Sequence, residues 1–209
     1  MVVAKPQEDN IPYREVKDGK IYNTRLSGEV KPPSPNLDTL SKCFLANVKK
    51  HGDKIAMRKK RYGIWQEHSW NDVYNHVANF SMALLKLGLQ EGDTVVIIGE
   101  NDPEMYWAQI AVHVVHCKTC CVFSDASPQD LDFVIKSTDA TFICAHDQEQ
   151  VDKALEIKDK TPQIKRVIYW EDRGLWSYDD DWLTSFSDIE AIGQDYRQQN
   201  PNKFDELAQ

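Results

Sequence analysis

Four short apolar runs, separated by segments of helical periodicity, constrain the fold of this chain more than any other feature. They read GDTVVIIG at 92–99, TCCVF at 119–123, TFICA at 141–145 and KRVIYW at 165–170. Strands that are apolar on both sides are typical of a sheet covered on both faces. Strands that alternate with helices favour parallel pairing, because a parallel connection needs a crossover. We therefore predict an α/β fold, a layered and mostly parallel sheet with flanking helices.

Local signals predict where the helices begin. These are Ser69-x-x-Asp72, Asp102-Pro103 and Ser127-Pro128-x-Asp130. The first and third follow the capping-box pattern, and the second places proline at the first helical position, where its missing N–H costs nothing. Gly88 is predicted to end the helix that begins near Ser69, because glycine accepts the left-handed conformation that follows many helices.

The chain divides by composition into three segments. Residues 1–35 are predicted to form an arm that ends in the proline-rich linker KPPSP and lies on the main body. Residues 36–170 form the α/β body, which begins with a helix capped by Asn36 and a hairpin over 54–70. Residues 171–209 mix aromatic and acidic residues and end in a polar tail, which we expect to be unanchored.

Charge and apolar content exclude several classes of protein. The chain carries 33 acidic and 25 basic residues, a formal net charge of −8, and nucleic-acid binding would need a basic surface instead. No stretch approaches the roughly 18 apolar residues of a membrane span, and the start MVVAKPQEDN has no secretory pattern. We expect a cytoplasmic protein whose five cysteines are free thiols. Peripheral membrane contact remains an open alternative.

Phosphate-binding and nucleophile motifs are missing from the sequence. It contains no G-x-x-x-x-G-K-[ST], no G-x-G-x-x-G and no G-x-S-x-G. The first strand is followed by ENDPEM, whose three acids would repel a phosphate. A dinucleotide-binding function is therefore disfavoured despite the alternation of strands and helices.

The densest group of metal-ligand residue types lies in AVHVVHCKTCCVF at 111–123. His113, His116, Cys117 and Cys120 offer four zinc ligands, and the two cysteines have C-x-x-C spacing. The junction between a helix and a strand points neighbouring side chains apart, however, and the chain has no second C-x-x-C pair. Core packing is therefore favoured, and a metal or redox protein is the alternative.

Two charged runs allow further alternatives. The run RKKR at 58–61 could meet an anion or a membrane surface, and Asp179, Asp180 and Asp181 could hold a hard cation. Both runs are predicted to be solvated surface, since the first lies at a hairpin turn and the second in an acidic loop.

Taken together, several segments resemble the N-terminal part of the adenylate-forming acyl-CoA ligases, most closely the long-chain fatty-acid CoA ligases. The resemblance covers residues 36–193 and rests on Gly88-x-x-x-Gly92-Asp93-x-Val95, Asn101-x-Pro103-Glu104 and DQEQVDKALEI. It implies an enzyme that joins a fatty acid to AMP, using ATP and Mg²⁺, and then transfers the acyl group to CoA.

The chain also departs from the family pattern. His116 stands where a glycine is usual, and Thr119 and Cys121 stand where prolines are common. The family's phosphate loop, its adenine-binding stretch and its catalytic lysine have no counterpart in these 209 residues. We therefore predict an N-terminal fragment or truncated relative that is inactive alone and has no catalytic, cofactor-binding or metal residues of its own.

The predicted partner is the remainder of a ligase chain or a second copy, bound through an exposed apolar face. Fatty acid, ATP, Mg²⁺ and CoA are expected to bind only to the complete enzyme, and no nucleic-acid partner is expected. The alternative is a stand-alone binding or regulatory module that has kept the fold without the chemistry.

Overall fold

The computed structural model describes residues 13–17, 20–25, 34 and 36–209. These residues fall into two units, divided between Asn36 and Leu37. In the first unit, strands β1 (Tyr13–Lys17) and β2 (Lys20–Arg25) pair antiparallel. Of the predicted linker at 31–35, only Ser34 is described, and the other four residues lie outside the described part of the chain. The contact of the arm with the body therefore stays a prediction.

The second unit contains seven strands, six longer α-helices, one short α-helix near its end and a 3-10 helix at Lys158–Lys160. The strands are β3 (Ile55–Arg61), β4 (Ile64–Ser69), β5 (Thr94–Ile98), β6 (Lys118–Val122), β7 (Ala140–Ala145), β8 (Arg166–Tyr169) and β9 (Leu183–Ser185). The helices are α1 (Leu40–His51), α2 (Trp70–Lys86), α3 (Pro103–Val114), α4 (Pro128–Thr138), α5 (Gln148–Glu156), α6 (Phe186–Gln199) and α7 (Lys203–Leu207). Within the described residues, no helix is both long enough and apolar enough to cross a membrane.

Five strands form one parallel sheet in the order β6-β5-β7-β8-β9. The predicted α/β fold with a mostly parallel sheet is therefore confirmed. The three-residue strand β9 was not predicted, because its sequence Leu-Thr-Ser carries no apolar run. The hairpin was predicted correctly: β3 and β4 pair antiparallel and are joined by Tyr62 and Gly63.

The sheet is covered on both faces, and β5 shows how. Val95 and Ile97 belong to a core formed with α1, α2, α3, α6 and α7, whereas Val96 and Ile98 belong to a second core formed with α4 and α5. Successive strand residues point to opposite faces, so a run of five fully buried residues needs a helix layer on each side. This explains why the strand lacks polar alternation.

The capping signals act as predicted in three places. Ser69 with Asp72 and Ser127 with Asp130 form complete capping boxes, and Gly88 follows α2 with φ +89°. The prediction of Asn36 as a cap was wrong. Helix α1 begins at Leu40, because the Thr39 hydroxyl accepts a hydrogen bond from the Lys42 backbone N–H at 3.2 Å.

The prediction of an unanchored tail was also wrong. The Phe204 side chain is 1% exposed and packs edge-on against Tyr74, with ring centroids 5.2 Å apart. The Tyr74 hydroxyl donates to Asp205 at 2.8 Å. One buried aromatic residue near the start of a short helix therefore helps to hold a polar segment on the body.

Candidate functional site

Polar side chains gather at the edge of the sheet where the parallel strands end. Strand β6 follows β5 in the chain and lies on one side of it, whereas β7 lies on the other side. The chain passes from β5 to β6 on one side and from β7 to β8 on the other, which opens a crevice beyond the carboxyl ends of β5 and β7. Ligands of open α/β sheets bind at such switch points. Asp102 follows β5 here, and His146 follows β7.

Asp102 is the centre of this polar group. Its Oδ2 atom lies 2.8 Å from Lys59 Nζ and 3.3 Å from His146 Nε2, and it accepts a hydrogen bond from Trp170 Nε1 at 3.3 Å. Glu104 Oε2 lies 3.4 Å from the same Lys59 ammonium group. We call these five residues the Asp102 cluster. It joins the hairpin, the start of α3 and the ends of β7 and β8.

The electrostatics of the cluster favour its charged forms. Burial acts to raise the pKa of Asp102, but hydrogen bonds from His146 and Lys59 outweigh it and hold that pKa well below its usual range. Burial acts to lower the pKa of His146, but the hydrogen bond to Asp102 and the nearby charge of Asp147 outweigh it, so that pKa is raised. The imidazolium and the carboxylate therefore stabilise each other.

Gly99 lets the cluster close against the sheet. Its φ is +149°, and a Cβ atom built there would lie 2.3 Å from His146 Cβ and 3.0 Å from the Trp170 ring. His146 and Trp170 stack with ring centroids 5.2 Å apart. A side chain at position 99 would separate the two rings from the end of β5.

A cleft of about 580 Å³ lies beside the cluster, beyond the ends of β8 and β9. On its wall the His76 ring stacks on Trp107 at 3.8 Å, and His76 Nδ1 lies 2.6 Å from Glu190 Oε1. The ring of His68 contacts Trp107 edge-on. Its pKa is lowered mainly by burial and also by the charge of His76.

The carboxylates that line the cleft are Glu104, Asp172, Asp188 and Glu190, and Arg61 is the lining residue with a permanent positive charge. This balance is unfavourable for a phosphate.

The helix N-termini offer no better place for a phosphate. Anions bind where backbone N–H groups are free at a helix start, but five of the six longer helices have a side-chain cap from their own segment. The capping residues of α1, α2, α4, α5 and α6 are Thr39, Ser69, Ser127, Asp147 and Ser185. At the start of the remaining longer helix, α3, the Asp102 side chain turns away into its cluster, and Glu104 adds a negative charge.

The four residues predicted as possible metal ligands contact different partners. His113 Nε2 lies 3.1 Å from the Thr119 hydroxyl, and His116 Nε2 lies 3.0 Å from the Leu207 carbonyl oxygen. The Cys117 thiol donates to the Gln90 carbonyl oxygen at 2.9 Å, and Cys120 packs against the second core. Across the described ranges, no group of three or more histidine, cysteine or acidic side chains is arranged to hold a metal ion.

Burial controls the chemistry of the thiols. It raises the pKa of Cys117 to about 11, with a further contribution from the charge of Asp93. It also raises the pKa of Cys121 and of the fully buried Cys144. Nucleophilic cysteine needs the thiolate form, so the raised pKa values favour the neutral thiol at all three positions, including the exposed Cys121.

The two charged runs are more engaged than solvated surface. In the first run, Lys59 is a member of the Asp102 cluster, and Arg61 Nη2 lies 3.6 Å from Glu171. In the acidic loop, Asp180 accepts two hydrogen bonds from Lys158 Nζ, at 2.8 and 2.7 Å, and one from the Trp182 backbone N–H. The prediction of a solvated face is therefore wrong for Lys59, whose side chain is 18% exposed, whereas Arg61 and Asp180 remain partly exposed.

The Asp102 cluster was missed by the sequence reasoning. In the sequence, Asp102 indicates only a helix start, and Lys59 only a basic run. The available signal was that His146-Asp147 directly follows one apolar strand and Asn101-Asp102 follows another after Gly99 and Glu100. Since the carboxyl ends of parallel strands meet at one edge, these polar pairs could have been placed together.

His116 has φ +59°, a left-handed conformation that costs a residue with a Cβ atom about 1–2 kcal/mol. We expect His116→Gly to be more stable than His116→Ala by about 1 kcal/mol, because both lose the contact with Leu207 and only glycine relieves the backbone. Thermal unfolding of the two variants measures this difference. The control is Ala191→Gly at an exposed helical position, where glycine should instead make the chain less stable than alanine does. If His116→Ala were as stable as His116→Gly, the left-handed backbone at position 116 would not be strained.

Comparison with known proteins extends these observations. The profile of a protein family described as "AMP-binding enzyme" matches residues 44–208. The chain is 26% identical to the long-chain-fatty-acid–CoA ligase ACSBG1 of Homo sapiens over 175 residues, which are 81% of this chain and 24% of that protein. It is 27% identical to acetyl-coenzyme A synthetase of Bartonella henselae, over 81% of this chain and 29% of that protein. The chain thus spans about a quarter of the length of these relatives.

Solved structures share the fold. The anthranilate CoA ligase AuaEII, in complex with anthranoyl-AMP, matches with a TM-score of 0.64 at 15% identity, over 76% of this chain and 28% of that chain. Acetoacetyl-CoA synthetase from Streptomyces lividans matches with a TM-score of 0.64 at 16% identity, over 72% and 24% of the two chains. In both, the likeness is confined to part of a longer chain.

Proposed function

The chain belongs to the family of AMP-binding enzymes, and on that premise we propose that it is the N-terminal scaffold of an ATP-dependent long-chain fatty-acid–CoA ligase. The complete enzyme would join a fatty acid to AMP and then pass the acyl group to CoA, with ATP and Mg²⁺ in the first step. The similarity to a long-chain-fatty-acid–CoA ligase supports this substrate class.

The occupied helix N-termini support a scaffold role for this part of the enzyme. Stabilising the charge on a transferring nucleotide needs preorganised cations or free N–H groups. Here the starts of α2, α4, α5 and α6 are capped by their own side chains, and the Lys59 ammonium group is neutralised by Asp102 and Glu104. The described residues therefore do not fit ATP phosphates, and those groups would be held by residues outside this chain.

The sheet itself is well suited to carry a catalytic layer. Its interior strand β5 is buried between two cores, and the Asp102 cluster fixes the hairpin and the ends of β7 and β8 against one another. A rigid edge of this kind can position neighbouring segments of a longer chain. We therefore assign the cluster a structural role, in which its charges satisfy each other.

ATP–pyrophosphate exchange tests the proposal. The isolated chain, given ATP, Mg²⁺ and a long-chain fatty acid, should show exchange no higher than a sample without protein, because the residues that the structure describes form no complete phosphate site. A full-length long-chain-fatty-acid–CoA ligase serves as the positive control. Fatty-acid-dependent exchange by this chain alone would contradict the scaffold role. The coding sequence that follows Gln209 tests the ligase assignment separately: a frame without a Thr/Gly-rich loop and lysine would support the stand-alone module instead.

A further inference from the structure

The tip of the β3-β4 hairpin, residues 60–65, exposes large apolar side chains. Tyr62 is 77% exposed, Ile64 71% and Trp65 60%. A single exposed apolar residue is ordinary, but three within four positions form an apolar patch of the kind that marks a contact with another protein, a ligand or a membrane. The base of the tip is held to the body, since Lys59 directly before it joins the Asp102 cluster and Arg61 within it lies 3.6 Å from Glu171.

The charges around this tip are unusual for the chain. The segment RKKRYGIWQ at 58–66 has four cations and no acid, although the chain as a whole has a net charge of −8. Arg58 pairs with Glu67, and carboxylates of the body neutralise Lys59 and Arg61. Lys60 has no such partner among the ion pairs of the described residues; its Nζ lies 5.9 Å from the centre of the Trp65 ring.

The strand register places a cation beside an apolar side chain on both faces of the tip. Lys60 is paired with Trp65, and Arg61 is paired with Ile64. Directly paired residues lie on the same face of a hairpin. Neither face of the tip is therefore wholly polar or wholly apolar. Tyr62 lies at the turn, with its ring centre 5.6 Å from Arg61 Cζ.

We propose that the hairpin tip is an anchor that binds the surface of an anionic phospholipid membrane. Tryptophan and tyrosine settle at the headgroup level, where their rings are apolar and their N–H and O–H groups remain hydrated. Basic side chains beside them are attracted to anionic headgroups. Trp65 and Tyr62 would enter the interface, while Lys60 contacts the lipid phosphates. This inference does not depend on the proposed ligase activity.

Vesicle co-sedimentation tests the anchor with the whole 209-residue chain. Binding should be strong to phosphatidylcholine vesicles that contain phosphatidylserine, weak to phosphatidylcholine alone, and reduced by salt. Trp65→Ser and Lys60→Glu should each lower the partition coefficient about tenfold. Phe133→Ser is the matched control, because Phe133 is 70% exposed but lies on α4, which packs on the other face of the sheet. That variant should bind as the original chain does.

Three results would overturn the anchor. The first is that the chain does not bind the phosphatidylserine vesicles. The second is that Phe133→Ser lowers the partition coefficient as much as Trp65→Ser does. The third is that the chain forms a dimer in solution, which Trp65→Ser dissociates, and does not bind vesicles. The last result would assign the patch to a second copy of the chain. Since both substituted side chains are exposed, far-UV circular dichroism should show all variants folded, so a loss of binding would report the surface itself.

Discussion

Gly193→Ala is expected to lower the free energy of unfolding by about 3 kcal/mol, although alanine is the better helix former. Gly193 lies in α6, which packs on α2, and a Cβ atom built there would be 1.7 Å from the Asn79 carbonyl oxygen and 3.1 Å from the Ala83 backbone nitrogen. Both neighbours are main-chain atoms of a buried helix, so they cannot rotate away. Helix α6 must move outward instead.

That movement would loosen the packing that α6 supplies. Phe186 stacks on Phe80 with ring centroids 4.4 Å apart, and Ile189 is fully buried. Overpacking costs typically about 1–3 kcal/mol, and more when the backbone must shift. The alanine's better helix propensity, worth about 1 kcal/mol, offsets only part of this.

Urea unfolding followed by circular dichroism measures the loss. The matched control is Ala191→Gly, an exposed position in the same helix, where glycine should cost about 1 kcal/mol through helix propensity alone. One substitution replaces glycine by alanine and the other replaces alanine by glycine, and both are expected to lower the free energy of unfolding. A Gly193→Ala variant as stable as the original chain would show that the two helices can separate without cost.

The sheet could be predicted from the sequence because its signal is local. An apolar run such as Val95–Ile98 must be covered on both faces wherever it lies, and Ser69 with Asp72 marks a helix start without reference to the rest of the chain. Strand β9 and the anchored Phe204 have no such local signal. Their places are set by contacts with distant elements, β8 and Tyr74.

The site could not be predicted in the same way, because closeness along the chain is a poor guide to closeness in space. His113, His116, Cys117 and Cys120 lie within eight positions of the sequence, yet they contact different partners. Lys59 and Asp102 are 43 positions apart and lie in contact. What the sequence does establish is the strand edge at which such distant polar residues meet.

Asp102→Asn is expected to lower the free energy of unfolding by about 3 kcal/mol, since it removes one partner of a buried ion pair. Lys59, whose side chain is 18% exposed, would keep only Glu104 at 3.4 Å. His146 would lose the carboxylate that favours its charged form, and Trp170 Nε1 would face a neutral acceptor. Urea unfolding near pH 6 measures the loss. Asp38→Asn, which breaks an exposed pair with Lys42, should change little.

The pH dependence of this loss separates an ion pair from simple packing. The pKa of Asp102 is lowered in the fold, so its contribution is present above its ordinary value of 3.8 and is lost as the pH falls below that. The pKa of His146 is raised, so its contribution is present below its ordinary value of 6.5 and is lost as the pH rises through the raised value. The difference between the original chain and Asp102→Asn should therefore be largest between these two values and smaller on both sides. A difference that does not change with pH would mean that Asp102 stabilises the edge by shape alone, because a contact without charge does not titrate.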